Sequence, residues 1–110
     1  MEESPLRRLK TKTTIEVLWI YILSLMKDEP VYAYEIKEKI EKLYGFDIGK
    51  VTAYMVLYRL ELEGYVKTEW KLIDNRQRKY YRITEPGKKI LDDGAVYLKD
   101  LAEKLGNDKK

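Results

Sequence analysis

Between Ile15 and Met26 the apolar residues Ile15, Val17, Leu18, Trp19, Ile22, Leu23, Leu25 and Met26 crowd nearly every side of a helix, more than one core-facing stripe requires. Thr13 followed by Glu16 fits a capping box opening this helix, which is predicted to run to about Lys27. The surplus apolar surface implies cover from outside its own domain. After "KDEP", Ala33, Ile36, Ile40 and Leu43 recur at spacings of 3, 4 and 3 and stop at Gly45, a natural left-handed cap, so a second helix with one apolar stripe is expected. A third run places Ala53, Val56, Leu57 and Leu60 on one face and ends at Gly64, with Val51, Met55 and Tyr58 on the opposite side.

The period then changes. Val66, Thr68, Trp70 and Leu72 alternate with Lys67, Glu69 and Lys71, and Tyr81 and Ile83 alternate with Tyr80 and Arg82, which predicts a two-stranded hairpin with one buried face. Its turn is expected to span roughly Ile73 to Arg78, around Asp74 and Asn75, whose side chains tolerate left-handed backbone. Thr84, Glu85 and Pro86 launch a last helix. In it Leu91, Ala95, Leu98, Ala102 and Leu105 repeat at 4, 3, 4 and 3, a short heptad seam that fits either the chain's own first helix or a second copy. Two apolar surfaces are left over once three helices and a hairpin form a core, which favours the second copy.

Composition narrows the chemistry. The 110 residues make one domain and contain no Cys and no His, which removes disulfides, thiolate nucleophiles, imidazole bases and nearly all zinc chemistry. No Gly-rich phosphate loop is present, so neither an enzyme nor a cofactor is expected. The most apolar run is about half a bilayer crossing and lacks a secretory cleavage pattern, so a cytoplasmic protein without a membrane segment is expected. The net charge of +3 is unremarkable, but its distribution is not. Lys67 to Lys89 carries eight Lys/Arg against three Asp/Glu, or +5, whereas Ile15 to Val66 carries six against nine, or −3. The first fourteen residues add +2 through Arg7, Arg8, Lys10 and Lys12 against Glu2 and Glu3.

Helix, helix, helix, basic hairpin and closing helix describe a mainly α fold with a two-stranded β-hairpin: a winged helix-turn-helix with an added C-terminal dimerisation helix. Residues 1–13 form a basic N-terminal arm, 14–86 the DNA-binding domain, and 87–110 the dimerisation helix. A projecting wing cannot bury apolar residues at its tip, but Arg76, Arg78 and Lys79 there can reach phosphates or a minor groove. Lys50, Thr52, Tyr54, Tyr58 and Arg59 lie off the apolar stripe of the third helix and are its candidate readers in a major groove. Trp19, Ile22, Leu91, Ala95, Leu98, Ala102 and Leu105 are the candidate dimer contacts. Double-stranded DNA and a second copy are the expected partners. An architectural chromatin protein of little sequence preference, or a winged helix that binds protein, are the competing readings.

The stretches "VYAYEI" (Val31 to Ile36), "TAYMVLYRLELEGYV" (Thr52 to Val66) and "RKYYRITEPG" (Arg78 to Gly87) resemble the PadR-like transcriptional regulators. The resemblance covers roughly Leu18 to Leu91. It implies a homodimeric winged-helix DNA binder, usually a repressor, with the first and last helices making the dimer and the third helix entering DNA. It also implies that an aromatic small-molecule effector can sit at the dimer interface, where Trp19 resembles a residue able to line the pocket. Gly49-Lys50-Val51 stands where the family commonly has Ser-Pro-Gly, and the short C-terminal part resembles the compact members.

Overall fold

The structure, a computed structural model, describes residues 4–107. Glu2 and Glu3 of the basic arm and residues 108–110 of the closing segment lie outside the described residues. The arm is helical: α1 spans Pro5–Lys12. Proline at the first helical position and Ser4, whose hydroxyl accepts from the Arg7 amide at 3.1 Å, account for its start. Thr13 ends this helix rather than opening the next, because its hydroxyl donates to the Leu9 carbonyl at 2.8 Å and Glu16 pairs with Lys12 at 3.1 Å. The predicted capping box is therefore not formed. A 3₁₀ turn, Ile15–Val17, leads into α2, Leu18–Leu25.

The second and third predicted helices appear as α3, Ile36–Tyr44, preceded by the 3₁₀ turn Ala33–Glu35, and α4, Lys50–Leu62. Gly45 and Gly64 follow them with φ of 79° and 85°, backbone that glycine adopts without a Cβ penalty. Ile36 and Ile40 of α3 and Ala53, Leu57 and Leu60 of α4 close on Leu18, Ile22, Leu23 and Met26 to form the core, with Ile48, Val31, Val66, Tyr81 and Ile83. Leu43, placed on the same stripe by its spacing, is exposed.

Val31–Tyr32, Val66–Ile73 and Arg76–Ile83 form β1, β2 and β3 of an antiparallel sheet in the order β1-β3-β2. The sheet thus has a third strand beyond the expected hairpin, where Val31 pairs with Tyr81 and Tyr32 with Tyr80. The β2–β3 ladder runs unbroken to Ile73 opposite Arg76, so the wing turns in two residues rather than six. Asp74 and Asn75 have φ of 52° and 63°. Positive φ at both central positions is the mirror-type turn that matches strand twist.

The last helix, α5, spans Glu85–Ala102 and starts as predicted at Thr84. The Thr84 hydroxyl accepts from the Gly87 amide at 3.1 Å and donates to the Gly64 carbonyl at 2.7 Å. One side chain thereby joins the end of α4, the foot of the wing and the start of α5.

Candidate nucleic-acid interface

Alternation along β3 sends Arg76, Arg78, Tyr80 and Arg82 to one face of the wing and Gln77, Lys79 and Tyr81 to the other. Toward the wing tip neither face has a core to cover: Trp70, Leu72 and Arg76 are all exposed. Between wing, β1 and α4 lies a groove of about 570 Å³ lined by Tyr32, Tyr34, Tyr54, Tyr58, Trp70, Arg76, Arg78 and Lys79. It brings together five of the predicted DNA-binding residues, Tyr54, Tyr58, Arg76, Arg78 and Lys79. Lys50 stands at its border, its Nζ 5.8 Å from the Tyr34 ring centroid. Thr52 and Arg59 are not in this groove but share the outer face of α4 with Tyr54 and Tyr58, and Arg59 also lines a cavity of about 380 Å³ with Trp19 and Glu63.

The cations are oriented by aromatic faces. The Arg78 guanidinium lies 5.0 Å from the Tyr32 centroid and Lys79 Nζ 5.4 Å from that of Tyr81. Such contacts are worth about 0.5–1 kcal/mol at exposed sites and limit the arcs the long side chains sweep. Every ion pair among the described residues uses other cations, so Lys50 and Arg76, which are exposed, and Arg78 and Lys79, which are half-buried, have no carboxylate partner there. Arg82 differs: its guanidinium meets Glu69 at 3.3 Å, and Lys71 approaches the same carboxylate at 3.6 Å. The hydrogen bond from Arg82 holds the Glu69 carboxyl below the usual carboxylate range. Burial, and then the ionisable hydroxyls of Tyr34, Tyr81 and Tyr32, push the Tyr54 hydroxyl up. It stays protonated at neutral pH and can donate a hydrogen bond.

Comparison with known proteins identifies the family. The transcriptional regulator PadR-like family matches residues 22–93. The chain belongs to the PadR-like family of transcriptional regulators. It is a DNA-binding regulator and not an enzyme. It is 28% identical over 86 residues to transcriptional regulator Rv3488 of Mycobacterium tuberculosis, covering 78% of this chain and 79% of that protein. A PadR family transcriptional regulator from Eggerthella lenta superposes with a TM-score of 0.77 at 25% identity, covering 93% of this chain and 89% of the other. Bacillus subtilis PadR in complex with operator DNA shares the fold, with a TM-score of 0.66 and 24% identity over 73% of this chain and 46% of that one.

In this PadR-like regulator a second surface lies between α2 and α5. Ile20, half-buried, packs under Gly94, where a Cβ would come within 2.7 Å of Ile20 Cδ1, so the glycine permits the two helices to cross closely. Leu91 also packs on the chain's own core. Farther along α5, Ala95, Leu98 and Leu101 are exposed, as is Leu105 in the segment Glu103–Asn107 that follows it, and an apolar groove of about 610 Å³ runs between the helices, lined in part by Trp19, Tyr21, Leu91, Ala95 and Leu98. Ala102 is half-buried. Ile22 does not belong to this surface: it is 0% exposed and faces the core of its own chain. No helix among the described residues is long and apolar enough to cross a membrane.

Sequence reasoning missed Tyr32, Tyr34 and Trp70 as groove residues. The two tyrosines come from β1 and the turn after it, more than thirty residues before the wing begins at Val66, and only their aromatic pairing around Ala33 in "VYAYEI" hints at a shared surface.

Proposed function

We propose that this regulator is a cytoplasmic repressor that binds a pseudo-palindromic site as a homodimer. The N-terminal half of α4 enters the major groove, and Arg76, Arg78 and Lys79 of the wing reach phosphates or the adjoining minor groove. The observation that carries this reading is the convergence of Arg76, Arg78 and Lys79, with Lys50 at the border, beside one exposed helix with no carboxylate among the described residues paired to them. Residues 14–86 act as the DNA-binding unit, with α1 as a basic extension. Residues 87–110 pair the protomers through Leu98, Ala102 and Leu105, with Trp19 and Leu91 beneath them. Support for the pairing comes from α5 itself: eighteen residues bury only Gly87 completely, and a helix in water draws most of its stability from packing. The two α4 helices would then stand about 34 Å apart. The aromatic lining of the α2–α5 groove suits a planar aromatic effector held between protomers.

The test is fluorescence anisotropy of labelled duplex across a salt series. Four unpaired cations per protomer, doubled in the dimer, give a slope of log affinity on log salt of roughly −7 if all neutralise phosphates. Replacing both Arg76 and Arg78 by Ala removes four of them and reduces the slope by about 3.6. An unchanged slope and affinity in that variant would remove the wing from the interface.

A further inference from the structure

The outermost ridge of α4 is apolar. Ala53, Leu57 and Leu60 point into the core, and the helix turns about 100° per residue, so the diametrically opposite stripe is Val51, Met55, Tyr58 and Leu62. These side chains are 71%, 67%, 63% and 70% exposed. Lys50, Thr52, Arg59 and Glu61 fall on the flanks of the helix, between ridge and core. A solvated helix ordinarily carries its charges farthest from the core; here that position carries none.

We propose that Val51 and Met55 determine sequence specificity by packing against the C5-methyl groups of thymines in the major groove. The inference rests on the DNA-binding geometry proposed above and names the base it selects. Thymine's methyl is the apolar group among the base-edge features of the major groove, whose other features are hydrogen-bond donors and acceptors. An apolar ridge therefore has one complementary base, and a base presenting only polar atoms would have them desolvated against Val51 or Met55 without a partner. Val51 and Met55 are one helical turn apart, an axial rise of about 6 Å, which spans about two base steps of 3.4 Å.

Charge commits the ridge to DNA rather than to another protein surface. It begins next to Lys50 in the chain, and its Tyr58 also lines the groove that holds Arg76, Arg78 and Lys79, while Arg59 borders it on the other flank. A second copy docked on this ridge would bring the same uncompensated cations face to face, and an apolar partner would desolvate them unpaired. A polyanion neutralises them while its bases meet the ridge.

Deoxyuridine provides the test, because it keeps Watson–Crick pairing and lacks the methyl. The full chain first selects sites from randomised duplex, and each thymine of the winning site is then replaced singly by deoxyuridine. Affinity should fall about fourfold at two positions per half-site, the equivalent of one buried methyl each, and remain unchanged elsewhere. Val51→Ser and Met55→Gln, both at exposed positions, should each abolish the deoxyuridine effect at one of those positions while leaving the salt slope intact. Uniform affinity across all deoxyuridine sites overturns the proposal while leaving DNA binding standing. So do variants that keep the original site preference, or that change self-association in place of selectivity. A chain that binds no duplex even at low salt overturns the DNA geometry itself and this inference with it.

Discussion

Gly87→Ala is a severe test of how the wing and α5 are joined. A Cβ at this buried position would lie 2.1 Å from the Tyr65 carbonyl oxygen and 2.8 Å from Ile83 Cγ1. The first of these is backbone and cannot swing away, and the same carbonyl accepts from the Thr84 amide at 3.1 Å. Relief requires α5 to back off from the turn after α4, at an overpacking cost of about 1–3 kcal/mol and the loss of about 1 kcal/mol for a buried hydrogen bond. The better helix propensity of Ala returns up to about 1 kcal/mol. The net loss is about 1–3 kcal/mol, which lowers the urea midpoint by roughly 1 M for a domain of this size. The comparison is Gly94→Ala, whose closest contact is the movable end of Ile20 at 2.7 Å, with the Trp19 ring at 3.2 Å. It should cost less. Both are measured by urea denaturation at one protomer concentration, because association contributes to apparent stability. A Gly87→Ala protein as stable as the parent, or an order in which Gly94→Ala is the worse of the two, would refute the close approach of α5 to Tyr65.

Other consequences follow from named contacts. Asn75→Gly should raise the melting temperature slightly, because glycine takes this left-handed turn position at less cost than the tolerated Asn, while Asn75→Val should lower it, a β-branched residue bearing the full left-handed cost of about 1–2 kcal/mol. Because its carboxyl is held below the ordinary value, Glu69 contributes stability that is present above about pH 4.3, the unfolded value, and is lost as pH falls through the lower folded value. Glu69→Gln should therefore be less stable than the parent at neutral pH and indistinguishable from it in strong acid, as followed by circular dichroism. Leu98→Lys places like charges across the proposed two-fold seam and should give a monomeric mass in light scattering at micromolar concentration, without loss of helical signal. A persisting dimer would move the interface elsewhere.

The core was legible where one face alone is buried. Ile36 and Ile40, and Ala53, Leu57 and Leu60, advertise their helices by period, and Gly45 and Gly64 end them because only a residue without Cβ takes their φ at no cost. The wing was legible at its foot, where Val66 and Ile83 pair over the core, and misread at its tip. There both faces meet water, alternation carries no information, and Arg76 to Arg78 look like loop although the ladder includes them. Thr13 misled because a Ser/Thr-x-x-Glu spacing also suits a threonine closing one helix and a glutamate pairing four residues back, as it does with Lys12. Ile22 misled for a related reason: spacing shows that a residue is apolar, not which surface covers it. At the candidate site, the charges of Arg76, Arg78 and Lys79 were visible in the sequence, whereas the tyrosine faces that steer Arg78 and Lys79 emerged only with the folded sheet.

The arrangement also couples the proposed functions. Thr84 ties the carbonyl after α4 to the amide that starts α5, so its hydroxyl helps fix the angle between α4 and α5, together with the close approaches at Gly87 and Gly94. Spacing between the two α4 helices in a dimer would depend on it.

The central claim, that the α4 ridge and the wing form one DNA-binding face, is tested most directly by amide chemical shifts of the isotopically labelled protein titrated with duplex. The account predicts the largest changes at Lys50 to Met55 and from Leu72 to Lys79, with Tyr32 and Tyr34 following and the distal half of α5 unchanged. Changes concentrated on α5, with the wing and α4 silent, would contradict it.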